Sequence, residues 1–284
     1  VRLSTFWSNT FALPSDDIND HEPFAMTTAR VAYVQWPEGL QPAGPAWDAI
    51  RRSVDAARPD ILVTNEMPFG PWLAEHARFN ADAAQRSVAL HEQALDALGS
   101  LSAAAVISSR PVAFDGRLAN EAFVLESKAY RMVHHKKYFP QEEGFFEEAW
   151  YLRGAGGFDC VQVGQAKVGV LLCTELFFND RARAYGRDGA DLIVTPRATG
   201  TSLSRWKTAG AMAAIVSGAW FVSSNRCGSG ALGQQFGGAG FVVSPDGAQL
   251  EETSEAKPLS VVTLDLDTAR AQKAHYPCYV KELS

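Results

Sequence analysis

Three stretches of the sequence end an apolar run at a residue able to do covalent or proton-transfer chemistry. In VGVLLCTELFF (168–178) the branched run stops at Cys173, because the polar pair Thr174-Glu175 cannot continue a buried strand. In DILVTNEMPFG (60–70) the run Ile61–Val63 ends near Glu66, just before Met67-Pro68, where proline removes a ladder donor. In HHKKYFPQEEGFFEEAWY (134–151), Lys136 and Lys137 follow a third strand-like run, with Pro140 soon after. A thiolate attacks an acyl carbon, a carboxylate takes the thiol proton and later returns one to a leaving amine, and an ammonium stabilises the oxyanion. The turn Cys173-Thr174-Glu175 adds backbone N–H donors, with the Thr174 N–H suited to the same oxyanion. Taken singly, a buried cysteine, a turn glutamate and a lysine pair are ordinary packing and surface residues; the set gives each a role.

The elements that must position these residues alternate in type. RVAYVQW (30–36) and ILVTN (61–65) read as strands, separated by the amphipathic PAWDAIRRSVDAA (45–57) with Trp47, Ile50 and Val54 on one face. A long helix is expected from about Trp72 to Leu98, then strands at 103–109, 120–126 and 129–135, and a loop over 140–157. The order begins again with KVGVLL (167–172), a helix over 178–189 closed by Gly189, a strand over 190–196, a helix near 205–218, and strands over 219–225, 240–244 and 259–267. This pattern predicts an α/β layered sandwich with a sheet from each half of the chain, and in such sheets ligands sit beyond the strands' carboxyl ends. Residues 1–29 carry the acidic, turn-like SDDINDHEP without a sustained period and are expected to form an N-terminal extension to one domain over 30–284.

Composition removes other function classes. The 284 residues are 46% hydrophobic and 20% charged, enough for a full core, and the formal charge of -6 offers no basic surface for nucleic acid or an anionic membrane. No apolar run reaches the ~20 residues of a bilayer span, and the first residues lack the form of a signal peptide, so a cytoplasmic location is expected. The four cysteines (Cys160, Cys173, Cys227, Cys278) have no metal-site or redox-pair spacing. His134 and His135, adjacent on a strand, face opposite ways and cannot share a metal. Neither metal nor cofactor is expected.

The flanks of these residues resemble the nitrilase superfamily, the carbon–nitrogen hydrolases, in ordered blocks from residue 30 to about 280. RVAYVQW resembles its opening strand, ILVTNEMPFG its glutamate segment, VHHKKYFP its lysine block and VGVLLCTELFF its cysteine block, while GADLIVTPRAT, AWFVSSNRCG and GGAGFVVSPDG resemble its later strands and turn. The resemblance implies an αββα sandwich and a Glu66-Lys136-Cys173 triad, with Lys136 chosen because Phe139 and Pro140 stand where the family pattern has an apolar residue and a proline. It also implies a second glutamate holding the lysine. In the family's amidase form a Glu and one spacer precede an aromatic pair, which selects Glu148 before Trp150-Tyr151 over Glu147, Glu143 and Glu142.

The resulting expectation is an amidase acting through a thioester on a small amide, with an N-carbamoyl amine hydrolase as the alternative and a nitrilase behind it, since CTEL lacks the residues that follow the cysteine in true nitrilases. A non-catalytic binding protein on the same fold is the reading from a different class. Trp150, Tyr151, Phe145 and Trp206 are expected to wall an apolar pocket, and Arg197 to bind a substrate carboxylate. The family resemblance and the aromatic C-terminal AHYPCYVKELS point to a homodimer or larger homo-oligomer.

Overall fold

The structure, a computed structural model, describes residues 26–281. Of the extension expected over 1–29, residues 1–25 lie outside the described residues, whereas Thr28 and Ala29 already belong to the first strand. The first half of the chain runs β1 (Thr28–Val34), α1 (Pro45–Ala57), β2 (Ile61–Val63), α2 (Ala81–Gly99), β3 (Ala105–Phe114), β4 (Arg117–Glu126) and β5 (Ala129–His135). The connecting loop holds a short hairpin, β6 (Gln141–Glu142) and β7 (Phe145–Phe146), and a one-turn helix, α3 (Glu147–Trp150). The second half runs β8 (Val161–Val163), β9 (Ala166–Val170), α4 (Asn179–Arg187), β10 (Leu192–Arg197), α5 (Ser204–Ser217) and β11 (Trp220–Asn225). It closes with the hairpin β12 (Cys227–Ser229) and β13 (Gln235–Gly237), then β14 (Phe241–Val243), β15 (Gln249–Glu252), β16 (Leu259–Asp265) and α6 (Leu266–Gln272).

Two six-stranded sheets result, in the orders β16-β1-β2-β3-β4-β5 and β15-β14-β11-β10-β9-β8. Their central strands are parallel and buried on both faces, which is why the sequence reads there as apolar runs without polar alternation. Successive side chains still point to opposite faces. Val31, Tyr33, Val63 and Ile107 meet Val168, Val170, Leu192 and Val194 between the sheets. Their neighbours Ala32, Val34, Leu62 and Val106 pack under Trp47 and Val54 of α1 and Ala94 and Leu98 of α2. On the other outer face Leu171, Ile193 and Phe221 pack under Ala182 and Tyr185 of α4 and Ala213 of α5. The layers are therefore αββα.

Two differences from the sequence reading have physical causes. The helix expected from Trp72 begins only at Ala81, because Asn80 caps it there with its Oδ1 accepting the Ala83 N–H at 2.9 Å, and a short 3-10 turn occupies Leu73–Glu75. The sheets also do not divide cleanly between the halves. β16 returns from the C-terminal half to pair antiparallel with β1, Val262 opposite Val31, and so covers what would otherwise be an open edge of the first sheet.

Past α6 the chain lies along α4 and α5. Lys273 Nζ donates to Gly218 O at 2.9 Å and Arg183 Nη2 to Val280 O at 2.9 Å, while Tyr276 and Tyr279 are 75% and 61% exposed. Among the described residues no helix is long and apolar enough to cross a membrane.

Packing leaves little freedom where the second sheet approaches the cysteine. A Cβ added at Gly169 in β9 would stand 2.5 Å from Tyr185 Cδ2, and that ring is anchored by its hydroxyl donating to Val170 O at 2.8 Å. Gly169→Ala is expected to lower stability by roughly 1–3 kcal/mol, the usual cost of overpacking, as read from the midpoint of urea unfolding; an unchanged midpoint would show that the α4 layer yields freely.

Candidate active site

Both sheets deliver reactive residues to the same end of the sandwich. β5 runs in the direction of β3, because both intervening pairings are antiparallel, so Lys136 leaves its strand on the side where β2 releases Glu66. The second sheet is docked against these ends. Glu66 N donates to Arg197 O at 3.1 Å, and Ser224 Oγ accepts from Val34 N at 3.0 Å while donating to Val63 O at 2.7 Å.

Lys136 is the centre of the site. Its ammonium, with no exposure, donates to Glu66 Oε1 at 2.8 Å and to Glu147 Oε2 at 2.6 Å, and both carboxylates are equally buried. Asn120 Nδ2 adds a second donor to Glu66 Oε1 at 2.8 Å, and the Asn120 carbonyl accepts the Lys136 N–H at 2.8 Å. Burial alone would lower the lysine, but Glu147 and Glu66 outweigh it and hold the ammonium well above its ordinary value. One cation serves two carboxylates, so one of them resists ionisation: burial pushes Glu147 up to about 8, partly offset by Lys136 and reinforced by Glu66. Glu66 Oε2 and Glu147 Oε1 are buried without hydrogen-bond partners, each an acceptor left over for something else.

Cys173 follows β9 at a sharp reversal. Its φ is +48°, a left-handed conformation unusual for a side chain with a Cβ, and it opens a 3-10 turn over Cys173–Phe177. Burial pushes the thiol well above its ordinary range, Glu66 and Glu147 add to this, and Lys136 opposes it, so the resting sulfur is protonated. Cys173, Thr174 and Glu147 line a cavity of about 550 Å³ whose other walls include Phe145, Phe177, Trp206, Gln141 and Gln234. Glu66 is held by its own strained neighbour. Met67 has φ +42°, its N–H bonds Ser109 Oγ at 3.0 Å, and the buried Arg226 donates to the carbonyls of Glu66, Met67 and Gly70 while paired with Glu38.

The structure thus bonds Glu66 to Lys136, sets Cys173 close enough to feel both charges, and places Thr174 with Cys173 on the cavity wall, while several other expected residues lie elsewhere. Lys137 turns away, its ammonium donating to Gly154 O at 2.5 Å and Ala155 O at 3.2 Å. Glu148 is not on the lysine. Its side chain is 51% exposed, 3.8 Å from Arg153, because consecutive residues of the α3 turn point about 100° apart and Glu147 takes the inward direction together with Trp150. Glu142 is a rim residue of the cavity, and Glu143 lies outside it. Trp150 and Tyr151 are buried behind the site, Trp150 donating from Nε1 to His76 O at 2.7 Å and Tyr151 stacked on Phe139; Phe145 and Trp206 do face the cavity. Arg197 is not available to a substrate carboxylate. It ends β10 fully buried, with Nε on Ser223 Oγ at 2.6 Å, Nη1 on Thr199 Oγ1 at 3.2 Å and Nη2 on Ala239 O at 3.0 Å, and burial lowers it to about 10.

Asn120, Arg226 and Glu175 escaped the sequence reading as site residues. Only Glu175 carried a signal, a carboxylate inside an otherwise apolar stretch. Its Oε2 accepts the Leu172 N–H at 2.8 Å and its Oε1 the Lys137 N–H at 2.7 Å. Among the described residues no group of three or more His, Cys, Asp or Glu side chains is arranged to hold a metal ion.

Comparison with known proteins agrees with this architecture. The model of the carbon–nitrogen hydrolase family matches residues 30–274, and the chain belongs to that family. It is 27% identical over 159 residues to N-carbamoylputrescine amidase of Arabidopsis thaliana, covering 50% of this chain and 52% of that protein. It is 30% identical over 145 residues to a nitrilase of Pyrococcus abyssi, covering 51% of each. The matched stretch thus spans about half the length of these curated relatives. Among solved structures it is similar to a carbon–nitrogen hydrolase from Helicobacter pylori, with a TM-score of 0.77 at 18% identity over 90% of this chain and 96% of the other. It is also similar to an amidase from Nesterenkonia, with a TM-score of 0.68 at 20% identity over 87% and 94%. At these identities the structural likeness concerns the fold.

The two glutamates of the α3 turn should separate cleanly in stability. Lys136→Ala leaves two buried carboxylates without their cation and is expected to cost about 3–5 kcal/mol, with Glu147→Ala also destabilising, whereas Glu148→Ala should stay within about 0.5 kcal/mol of the parent. Urea unfolding of the variants measures this; a Glu148 variant as damaged as the Glu147 variant would contradict the assignment of the inward residue.

Proposed function

We propose that the protein is an amidase that converts a small carboxylic amide to the acid and ammonia or an amine through a thioester on Cys173. The observation that carries this reading is the Lys136 ammonium fixed between Glu66 and Glu147 beside a cavity lined by Glu147 and Cys173. A thiol that is neutral at rest needs a base at the moment of attack, and Glu66 has an oxygen free for it. In the first step Glu66 takes the thiol proton, the sulfur bonds to the amide carbon, and the carbonyl electron pair moves onto oxygen. Lys136 and the Thr174 N–H, which as an early N–H of a helical turn has no partner within the turn, stabilise that oxyanion. The C–N bond then breaks and Glu66 gives its proton to the leaving nitrogen. Water entering the same space gives a proton to Glu66 as its oxygen bonds the acyl carbon, and breaking the C–S bond returns the proton to sulfur. Glu147 holds Lys136 and offers its second oxygen to the substrate amide or the water.

The cavity suits a short acyl group, with Phe145, Phe177 and Trp206 for an apolar chain and Gln141, Gln234 and Thr201 for polar ends. The structurally similar Nesterenkonia amidase has been solved in complex with butyramide and with acrylamide. The similarity to N-carbamoylputrescine amidases of three plants favours a second reading in which the scissile carbon belongs to a carbamoyl group. Nitriles come last, because Thr174-Glu175-Leu176 after Cys173 lack the residues that follow the cysteine in true nitrilases. A cytoplasmic setting, which keeps the thiol reduced, belongs to the same reading.

Assays of ammonia release across simple amides, carbamoyl amines and nitriles, with hydroxylamine as a competing nucleophile, test it. An active amide should yield hydroxamate as well as acid, and mass spectrometry should find the acyl adduct on Cys173. Cys173→Ala and Glu66→Gln should each lower kcat by on the order of 10³-fold or more. Acyl transfer absent from the whole panel would sink the mechanism and favour a binding protein, and an adduct on another residue would overturn Cys173 as the nucleophile.

We further propose a homodimer or larger assembly built on the α4–α5 face, where Tyr276, Tyr279, Val280 and Met212 are exposed together with the C-terminal segment. Light scattering at micromolar concentration should give at least twice the subunit mass; a monomer would refute this.

A further inference from the structure

The proposed site works only if the cysteine turn and the lysine strand, which come from different sheets, are held in fixed relation. The lysine strand supplies the tie. Residues i and i+2 of an extended chain share a face, so His134 points the same way as Lys136, while His135 points to the other face and meets Glu121 at 3.3 Å. His134 is fully buried, and its Nε2 lies 2.9 Å from Glu175 Oε2. That oxygen already accepts the Leu172 N–H, and the other oxygen accepts the Lys137 N–H. One carboxylate therefore touches the residue before Cys173, the residue after Lys136 and the residue two before Lys136. With Glu175 as acceptor, the His134 proton sits on Nε2, and Nδ1 is buried without a partner.

We propose that His134 is a positioning residue for Cys173: by donating to Glu175 it fixes the carboxylate that locks the nucleophile's turn to the end of the lysine strand. The left-handed backbone at Cys173 persists only because its surroundings over-determine it, and the Glu175 bond to Leu172 is the nearest such restraint. Without the imidazole donor the buried carboxylate loses one of its three polar contacts and gains freedom to rotate. The sulfur then shifts relative to Glu66 and Lys136, and misplacement of about 1 Å in such an arrangement costs roughly 10²-fold in rate. His134 touches neither the cavity nor Lys136 through any hydrogen bond, so its influence runs through Glu175.

The inference rests on Cys173 being the nucleophile, and its test has a readout that needs no substrate. His134→Leu and His134→Gln are compared with the parent, because the glutamine amide can place an N–H near the position of the imidazole Nε2 whereas leucine cannot. Iodoacetamide labelling of Cys173, followed by peptide mass spectrometry with Cys173→Ala as the blank, reports how the thiol is held, and kcat and KM are measured on an active amide. Expected for His134→Leu is a fall of roughly 10- to 100-fold in kcat and a parallel fall in labelling rate at nearly constant KM, with substantial recovery in His134→Gln. A His134→Leu protein that loses only melting temperature while kcat and labelling rate stay at parental values would overturn the proposal, as would a glutamine variant no better than leucine. If the parent turns over no amide at all, the amidase reading fails, and the labelling rates still decide whether His134 positions the thiol.

Discussion

One ammonium enclosed by two carboxylates sets the terms for the rest of this molecule. Taking Lys136 out of water costs several kcal/mol, and the cost is offset only where opposite charge and hydrogen bonds meet it at close range. Glu66 and Glu147 do so at 2.8 and 2.6 Å, from chain segments 70 and 11 residues away. The fold must therefore bring the end of β2, the end of β5 and the α3 turn to one point and exclude water there. Asn120 and Arg226 serve that demand, the first by bonding both Glu66 and the lysine backbone, the second by gathering the carbonyls around Glu66. A cation shared by two carboxylates also leaves one acid, Glu147, more reluctant to ionise than an ordinary carboxyl, chiefly because it is buried.

The stacked sheets make this convergence rigid. Strands that run parallel release their following loops at one end, and the layer between the sheets is filled by interlocking branched side chains that resist sliding. Two left-handed residues, Met67 and Cys173, mark where the chain leaves each sheet abruptly instead of continuing as strand. Such backbone is unfavourable alone and is retained where neighbouring bonds fix it, here from Ser109 to Met67 and from Glu175 to Leu172. In the proposed reaction that restraint holds the sulfur near its base before substrate arrives.

Much of the architecture was legible from period and punctuation. The pattern predicts α1 at its observed limits, Pro45–Ala57, because Pro at its start and Trp47, Ile50 and Val54 on one face leave one interpretation. β5 was equally plain. The helix expected from Trp72 starts later, at Ala81, since the aromatic and apolar residues of 72–79 pack on α3 and the site loops and only mimic a helical stripe. The placement of β16 was not legible, because an edge can be covered by a strand from any part of the chain. Within the site, the turn of Glu147 inward and Glu148 outward was visible in principle as helical phase against Trp150, but counting spacers selects the other residue.

What the sequence determined by itself were the chemical types and the strand ends that carry them: a thiol, a carboxylate and an amine, each after an apolar run, in an order that places the chain in its family. What only the tertiary structure decided was which polar groups face one another. Arg197 looks like a free cation after a strand, yet Ser223 and Ala239 from distant segments and Thr199 close by accept from its three nitrogens, and Glu175 looks like a turn residue, yet it joins two sheets. The reason is the range of the forces involved. Hydrophobic period and turn chemistry act between residues close in sequence and are written locally, whereas the partner of a buried charge is fixed by contacts across the fold that no local pattern records.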